Sequence, residues 1–252
     1  MGGVPCETMT IIKEPEDVLT EFLRANYKEP SRSGLSKRHT TVSESFDGDG
    51  HTTTFTVTNT KLLCVNSVVV GSTTLTKFKD YNINLRSNSV VFTTAPGTGT
   101  DNIIINYDYG TESWIYPDKG RIDLVRTSFP RVSVTVLTQA GSRIAISDDT
   151  RLDQIIFQVD VYTKMGVKAT DYQQIGSDGS STTITETIEG EQLVRVLARG
   201  IVNIIQRKTR SILRPIMWDQ EIMGNTSVPF DENSGIFRRM LELRFRAFNI
   251  GE

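Results

Sequence analysis

Apolar residues recur along this chain with two different periods, and the places where one gives way to the other mark its elements. Val18, Leu19, Phe22 and Leu23 share one face at helical spacing, which predicts a helix over 15–27. Pro15, Glu16 and Asp17 suit its first turn, proline through its fixed backbone angle and the acids through the positive end of the helix dipole. A longer helix is predicted over 191–213, where Val194, Leu197, Ala198, Ile201, Ile204 and Ile205 form a continuous stripe. Between the two the period drops to two. Val132, Val134 and Val136 predict a strand over 131–138. Ile155, Phe157, Val159 and Val161 predict another over 152–162, with Gln154, Gln158 and Asp160 facing away. Two further strands are expected over 216–223 and 236–248. In the last, Phe237, Leu241, Leu243 and Phe245 lie on one face and Arg238, Glu242, Arg244 and Arg246 on the other.

The stretch 44–110 has a different texture. Short β-branched runs (Val68-Val69-Val70, Val90-Val91-Phe92, Ile103-Ile104-Ile105) are each followed closely by Gly, Asn, Asp or Ala-Pro-Gly, as a meander of strands requires. Phe55 and Val57 alternate with Thr as in a half-buried strand, and Asp47-Gly48-Asp49-Gly50 reads as a hairpin turn. The polar segments 28–43, 166–190 and 224–235 are expected to be loops, the last projecting because it is too long for a tight hairpin. The fold class is therefore α+β. Residues 1–43 and 111–252 form an antiparallel sheet with flanking helices, and 44–110 is an inserted all-β, sandwich-like module.

Composition narrows the function classes. Hydrophobic residues make up 37% of the 252, low for a single core, which fits two modest cores partly completed by neighbouring subunits. A net charge of −2 gives no whole-chain reason to expect nucleic-acid or membrane binding. The two cysteines, Cys6 and Cys64, lack zinc-site spacing and form no disulfide framework. No apolar run is long enough to span a membrane and no leader is recognisable, so the chain is expected to be made in a cytoplasm. His39 and His51 have no matching nucleophile motif, and Gly97-Thr98-Gly99 opens no helix, so no catalytic, metal or cofactor residues are assigned. Two basic groups stand out as partner-contacting candidates: Arg32, Lys37 and Arg38 in the first polar segment, and Arg207, Lys208 and Arg210 at the end of the long helix. The second group also complements the helix dipole.

Several local patterns together carry a resemblance. They are Pro130-Arg131-Val132-Ser133-Val134, the Gln-bearing strand ending at Tyr162, the long helix, a Trp218-containing strand, and the closing Arg244-Phe245-Arg246-Ala247-Phe248. In this order they resemble the tail terminator proteins of long-tailed viruses of bacteria and archaea. The Val-Gly, Asp-Tyr and Ala-Pro-Gly landmarks of 44–110 look like the small β-domain carried by many tailed-virus structural proteins. The resemblance implies a virion protein at the head–tail junction: a homohexameric ring on the head-proximal end of the tail tube. One face would meet the major tail tube protein and the other the head–tail connector or stopper, with genomic DNA passing through unread. Arg238, Glu242, Arg244 and Arg246 then line the channel, form ion pairs with Asp160 or with a neighbouring subunit, or face solvent. The alternatives are a stopper or other connector component, or a minor tail protein whose β-module binds host or carbohydrate through Tyr81, Phe92, Tyr107 and Tyr109.

Overall fold

The computed structural model describes residues 15–33, 38–77, 79–85, 87–110, 113–117, 129–143, 150–212 and 217–250. Side chains at 142–143, 150–152, 208–212, 218 and 248–250 fall outside that description. Helix α1 spans Pro15–Asn26 and is followed by β1 (Ser31–Arg32). Then come β2 (His39–Gly48), β3 (Thr54–Thr56), β4 (Leu62–Val70), β5 (Thr73–Thr74), β6 (Tyr81–Asn84), β7 (Ser89–Phe92) and β8 (Gly99–Gly110). Strands β9 (Ile115–Pro117), β10 (Arg131–Arg143) and β11 (Thr150–Lys164) precede the short β12 (Lys168–Thr170), β13 (Tyr172–Ile175), β14 (Ser181–Ile184) and β15 (Ile188–Glu189). Helix α2 (Gly190–Ile212), β16 (Met217–Asp231) and β17 (Ile236–Ile250) complete the order. The protein is mixed α+β, mostly sheet.

The largest sheet runs β16-β17-β11-β10-β9 and is antiparallel except for β9 against β10. Its inward positions are Val132, Val134, Phe157, Val159, Val161, Leu241, Leu243 and Phe245, all fully buried. They meet Leu19, Phe22 and Leu23 of α1 and Leu197, Ala198, Ile201, Ile204 and Ile205 of α2 in one cluster. Each fully buried Leu, Ile or Phe stabilises by roughly 1.5–3 kcal/mol, so this face fixes the layer. Gly200 lets the helices approach: a Cβ there would lie 2.6 Å from Tyr27 Cζ.

Strands β2–β8 build two further sheets, β2-β8-β4-β5 and β3-β7-β6, which close over a separate core including Phe55, Val68, Ile83, Val90, Phe92, Ile103, Ile105 and Tyr107. The entry and exit of this unit are adjacent, because His39 pairs in register with Gly110. Any side chain at 110 would collide with the Arg38 carbonyl, 2.6 Å from an added Cβ. The first strand begins at His39, inside the segment expected to be a loop.

Other expectations need correcting. Residues 224–235 do not form a loop: β16 continues to Asp231, and the turn is short. The Asp231 carboxylate accepts from Asn233 N and Ser234 Oγ, Gly235 N donates to the Asp231 carbonyl, and Phe230 packs on Phe237 with centroids 4.4 Å apart. Segment 166–190 folds into β12–β15. Gly48-Asp49-Gly50 turns a corner between two sheets, since β2 pairs with β8 and β3 with β7. There the Asp49 carboxylate accepts from His51 N, Thr52 N and Thr52 Oγ1.

Candidate functional site

The outward face of the large sheet is polar because alternation, having turned the apolar residues toward the helices, presents their neighbours on the other side. Register fixes its rows. Gln154 pairs with Arg246, Ile156 with Arg244, Gln158 with Glu242, Asp160 with Met240, and Tyr162 with Arg238. Arg238 grips Asp160 with two hydrogen bonds, Nε to Oδ1 at 3.0 Å and Nη2 to Oδ2 at 3.1 Å. Gln158 Nε2 donates to the same Oδ2 at 2.6 Å, and Asp160 is wholly buried. The Arg238 guanidinium also lies 5.5 Å from the Tyr162 ring centroid. Burial works against the charge of Arg238, but the hydrogen bonds and charge of Asp160 more than offset it, holding the pKa above its ordinary value. Burial first, and the Asp160 charge second, push the Tyr162 phenol upward.

Arg244 bonds to Glu221 and Arg246 Nη1 lies 3.1 Å from Asp219 Oδ2, both across the β16–β17 hairpin. Glu242 is half-buried beside Gly224, with no ion-pair partner among the described residues. The arginines of this face therefore pair within the chain. A surface neutralised in this way offers little net field to a polyanion.

A second polar cluster sits where the β2–β8 unit joins the α/β layer. Glu29, nearly buried, has Arg38 Nε at 3.0 Å, His39 Nδ1 at 3.3 Å and Arg32 Nε at 3.4 Å. Arg38 Nη2 donates to the Pro130 carbonyl at 2.8 Å, and His39 Nε2 lies 3.9 Å from Asp108 Oδ2. Nearby, Lys77 Nζ is 3.2 Å from Glu21 Oε2. Arg24 donates to the Ile115 carbonyl through Nε and Nη2, and to the Leu63 carbonyl through Nη1. Burial lowers the pKa of Arg24. A cleft of about 620 Å³ opens beside this network, lined by Tyr27, His39, Asn66, Asp108 and Trp114 among others. Buried ion pairs of this kind fix geometry more than they add stability.

Of the basic residues singled out from the sequence, Arg32 and Arg38 are turned inward onto Glu29. Lys37 lies outside the described residues, as do the side chains of Lys208 and Arg210 on α2. Arg207 is exposed, its Nε bonded to the Ser177 carbonyl. Sequence reasoning named Asp160 as one partner for the arginine face. It missed Glu29, Asp219 and Glu221, whose roles depend on a connector and a hairpin register that alternation alone does not reveal. Tyr81, Phe92 and Tyr107 are buried in the β-unit's core and present no ring to a ligand. No helix among the described residues is long and apolar enough to cross a membrane. The chain matches no protein-family model and no curated protein.

Proposed function

We propose that this protein is a structural component of a tailed virus. In this reading it forms a ring at the head-proximal end of the tail tube, ends tube polymerisation and joins the tail to the head connector. One observation carries the reading: a sheet closed by two helices on one face and by intrachain ion pairs on the other. Such a layer is two-sided, with the arginines of its polar face paired inside the chain. A heterologous interface that closes into a ring needs subunits of this kind. The sequence patterns around Pro130, Tyr162, Trp218 and Arg244 point the same way.

A tube of stacked identical rings always offers the same surface at its growing end. A terminator presents one face complementary to that end and a second that refuses another tube subunit. Genomic DNA would pass through the ring contacting backbone only, without base readout. Loss of the protein should leave filled heads unattached to tails, with tubes of uncontrolled length, and purified protein added to such an extract should restore joined particles. Heads that leak DNA would instead identify a stopper, and complete virions unable to adsorb a host-binding component. Threefold or twelvefold symmetry at this protein's position in a particle map would also overturn the hexameric terminator.

A further inference from the structure

The large sheet ends in two edges that no described strand covers. On one side β16 pairs only with β17 along its whole length. On the other, β9 covers β10 only at Val132, Ser133 and Val134, and no described strand pairs with residues 135–143 on that side. Open edges carry unsatisfied backbone donors and acceptors and template further pairing unless they are blunted. Each of these edges is bulged, β10 at one point and β16 at three, and one bulge on each holds an exposed apolar side chain. The β10 register shifts between Val136 and Thr138, around Leu137, which is 44% exposed. The β16 register shifts between Ile222 and Gly224, around Met223, which is 48% exposed. A single exposed Leu or Met is ordinary on a protein surface. The position of this pair is not. Val136 pairs with Phe157, Phe157 with Leu243, and Leu243 with Ile222, so one row crosses four strands. Leu137 and Met223 extend that row at its two ends.

We infer that the β16 edge of one copy seats the β10 edge of the next, with Met223 packed on the neighbour's Leu137. This rests on the ring reading above and names the contact that would build the ring. Strand direction supports it. Three antiparallel steps separate β16 from β10, so the two run oppositely within one chain. Rotation about an axis along the strands brings the neighbour's β10 beside β16 running antiparallel, and the sheet continues across the boundary. A closed ring has no axial rise, so the edges must meet at equal height, which is where the two bulges stand. The arginine face presents no unpaired row of like charge at this seam, because Arg244 and Arg246 are bound to Glu221 and Asp219.

Antiparallel neighbours hold Cβ atoms roughly 4.5–5.5 Å apart, close enough for a disulfide after small adjustment. The test is therefore a full-length Leu137→Cys/Met223→Cys chain in a Cys6→Ser background, oxidised over a range of concentrations. Cys64 can stay, since it is buried and its thiol is pushed up to about 12 by that burial. The expected result is a ladder of disulfide-linked oligomers ending at the ring size, lost in each single-cysteine chain. Leu137→Asp should abolish assembly while leaving the far-ultraviolet spectrum unchanged, because the side chain stands at an exposed edge bulge outside the buried core. Rings that form without crosslinks, or that survive Leu137→Asp, overturn this contact and leave the ring reading standing. A chain uncrosslinked at every concentration overturns it too, and the symmetry of the particle then decides the ring separately. Dimers from either single-cysteine chain would show an isologous edge and overturn the head-to-tail arrangement.

Discussion

Arg238 and Asp160 are unequally buried, and that asymmetry makes a quantitative prediction. Arg238 is one-third exposed, whereas Asp160 is wholly buried. Arg238→Ala removes both guanidinium hydrogen bonds to the carboxylate and its countercharge, leaving the neutral donors Gln158 and Tyr162. Stranding a buried charge in this way costs about 3–5 kcal/mol. Asp160→Asn leaves a cation that can turn into water, so the loss is that of charge-assisted hydrogen bonds, about 1–2 kcal/mol. In the double variant no charge is stranded. Its cost should approach that of Asp160→Asn plus roughly 0.5–1 kcal/mol for the guanidinium lost from the Tyr162 ring. The coupling is then about 2–4 kcal/mol, well outside the error of additivity. Urea unfolding followed by tryptophan fluorescence is the assay, because Trp114 packs in the core under the sheet and Trp218 lies on β16. Equal costs for the two single variants, or additive costs in the double, would refute the argument that the carboxylate depends on this arginine.

The Arg244→Ala/Arg246→Ala double variant should lose less than about 1 kcal/mol and the loss should fade with salt, since both pairs are partly exposed; urea titration at two ionic strengths checks it. Gly200→Ala should lower the melting temperature despite about 1 kcal/mol of helix propensity gained, because the new Cβ strikes Tyr27 and overpacking costs about 1–3 kcal/mol. Replacing residues 41–108 with a short Gly/Ser linker should leave a folded layer, since Thr41 and Asp108 are register partners, but one less stable for losing the Arg24–Leu63 and Lys77–Glu21 contacts; circular dichroism and thermal melts measure both. The hydroxyl of Thr52, with backbone amides, holds Asp49 at about 2, and Ser180 and Ser234 likewise lower Asp178 and Asp231. Folded values below the unfolded ones mean that these turns are supported above pH ~4 and lose that support as pH falls through the folded values, which amide exchange at His51, Thr52, Ser180 and Asn233 would detect before the sheet opens.

The parts legible in the sequence were those where one period holds without interruption. Helix α1, expected over 15–27, runs Pro15–Asn26, and α2, expected over 191–213, runs Gly190–Ile212, because each stripe is continuous and Pro15, Glu16 and Asp17 mark the first start. Strand β11, expected over 152–162, runs Thr150–Lys164, and alternation is strict from Ile155 to Val161. Strand β10 was read only to its bulge. Beyond Leu137 the parity shifts and Thr138, Gln139 and Ala140 carry no apolar signal. Strand β16 was cut short for the same reason: its register shifts three times, so no fixed parity links Met217 to Phe230. The arginine face was visible in β17, but its partners were not all readable. Asp160 lies 78 residues from Arg238 and Glu221 lies 23 from Arg244, and the pairings follow from register across strands rather than from local spacing.

The bulges that hid the two outer strands from sequence reading also separate the roles of face and edge. The face has its arginines matched inside the chain, so it has little positive charge left with which to select a partner. The edges are covered by no described strand and carry one exposed large apolar side chain each, placed near a common height by the row from Val136 to Ile222. In the ring proposed here, assembly would be specified at the edges and passage left to the face. Affinity for a phosphate backbone scales with the number of charges the protein neutralises, through release of condensed counterions. Arginines already bound to Asp160, Glu221 and Asp219 would have to break those pairs before neutralising any phosphate. A lumen lined by this face would hold DNA weakly at any salt, and a duplex could slide past it without a grip to release.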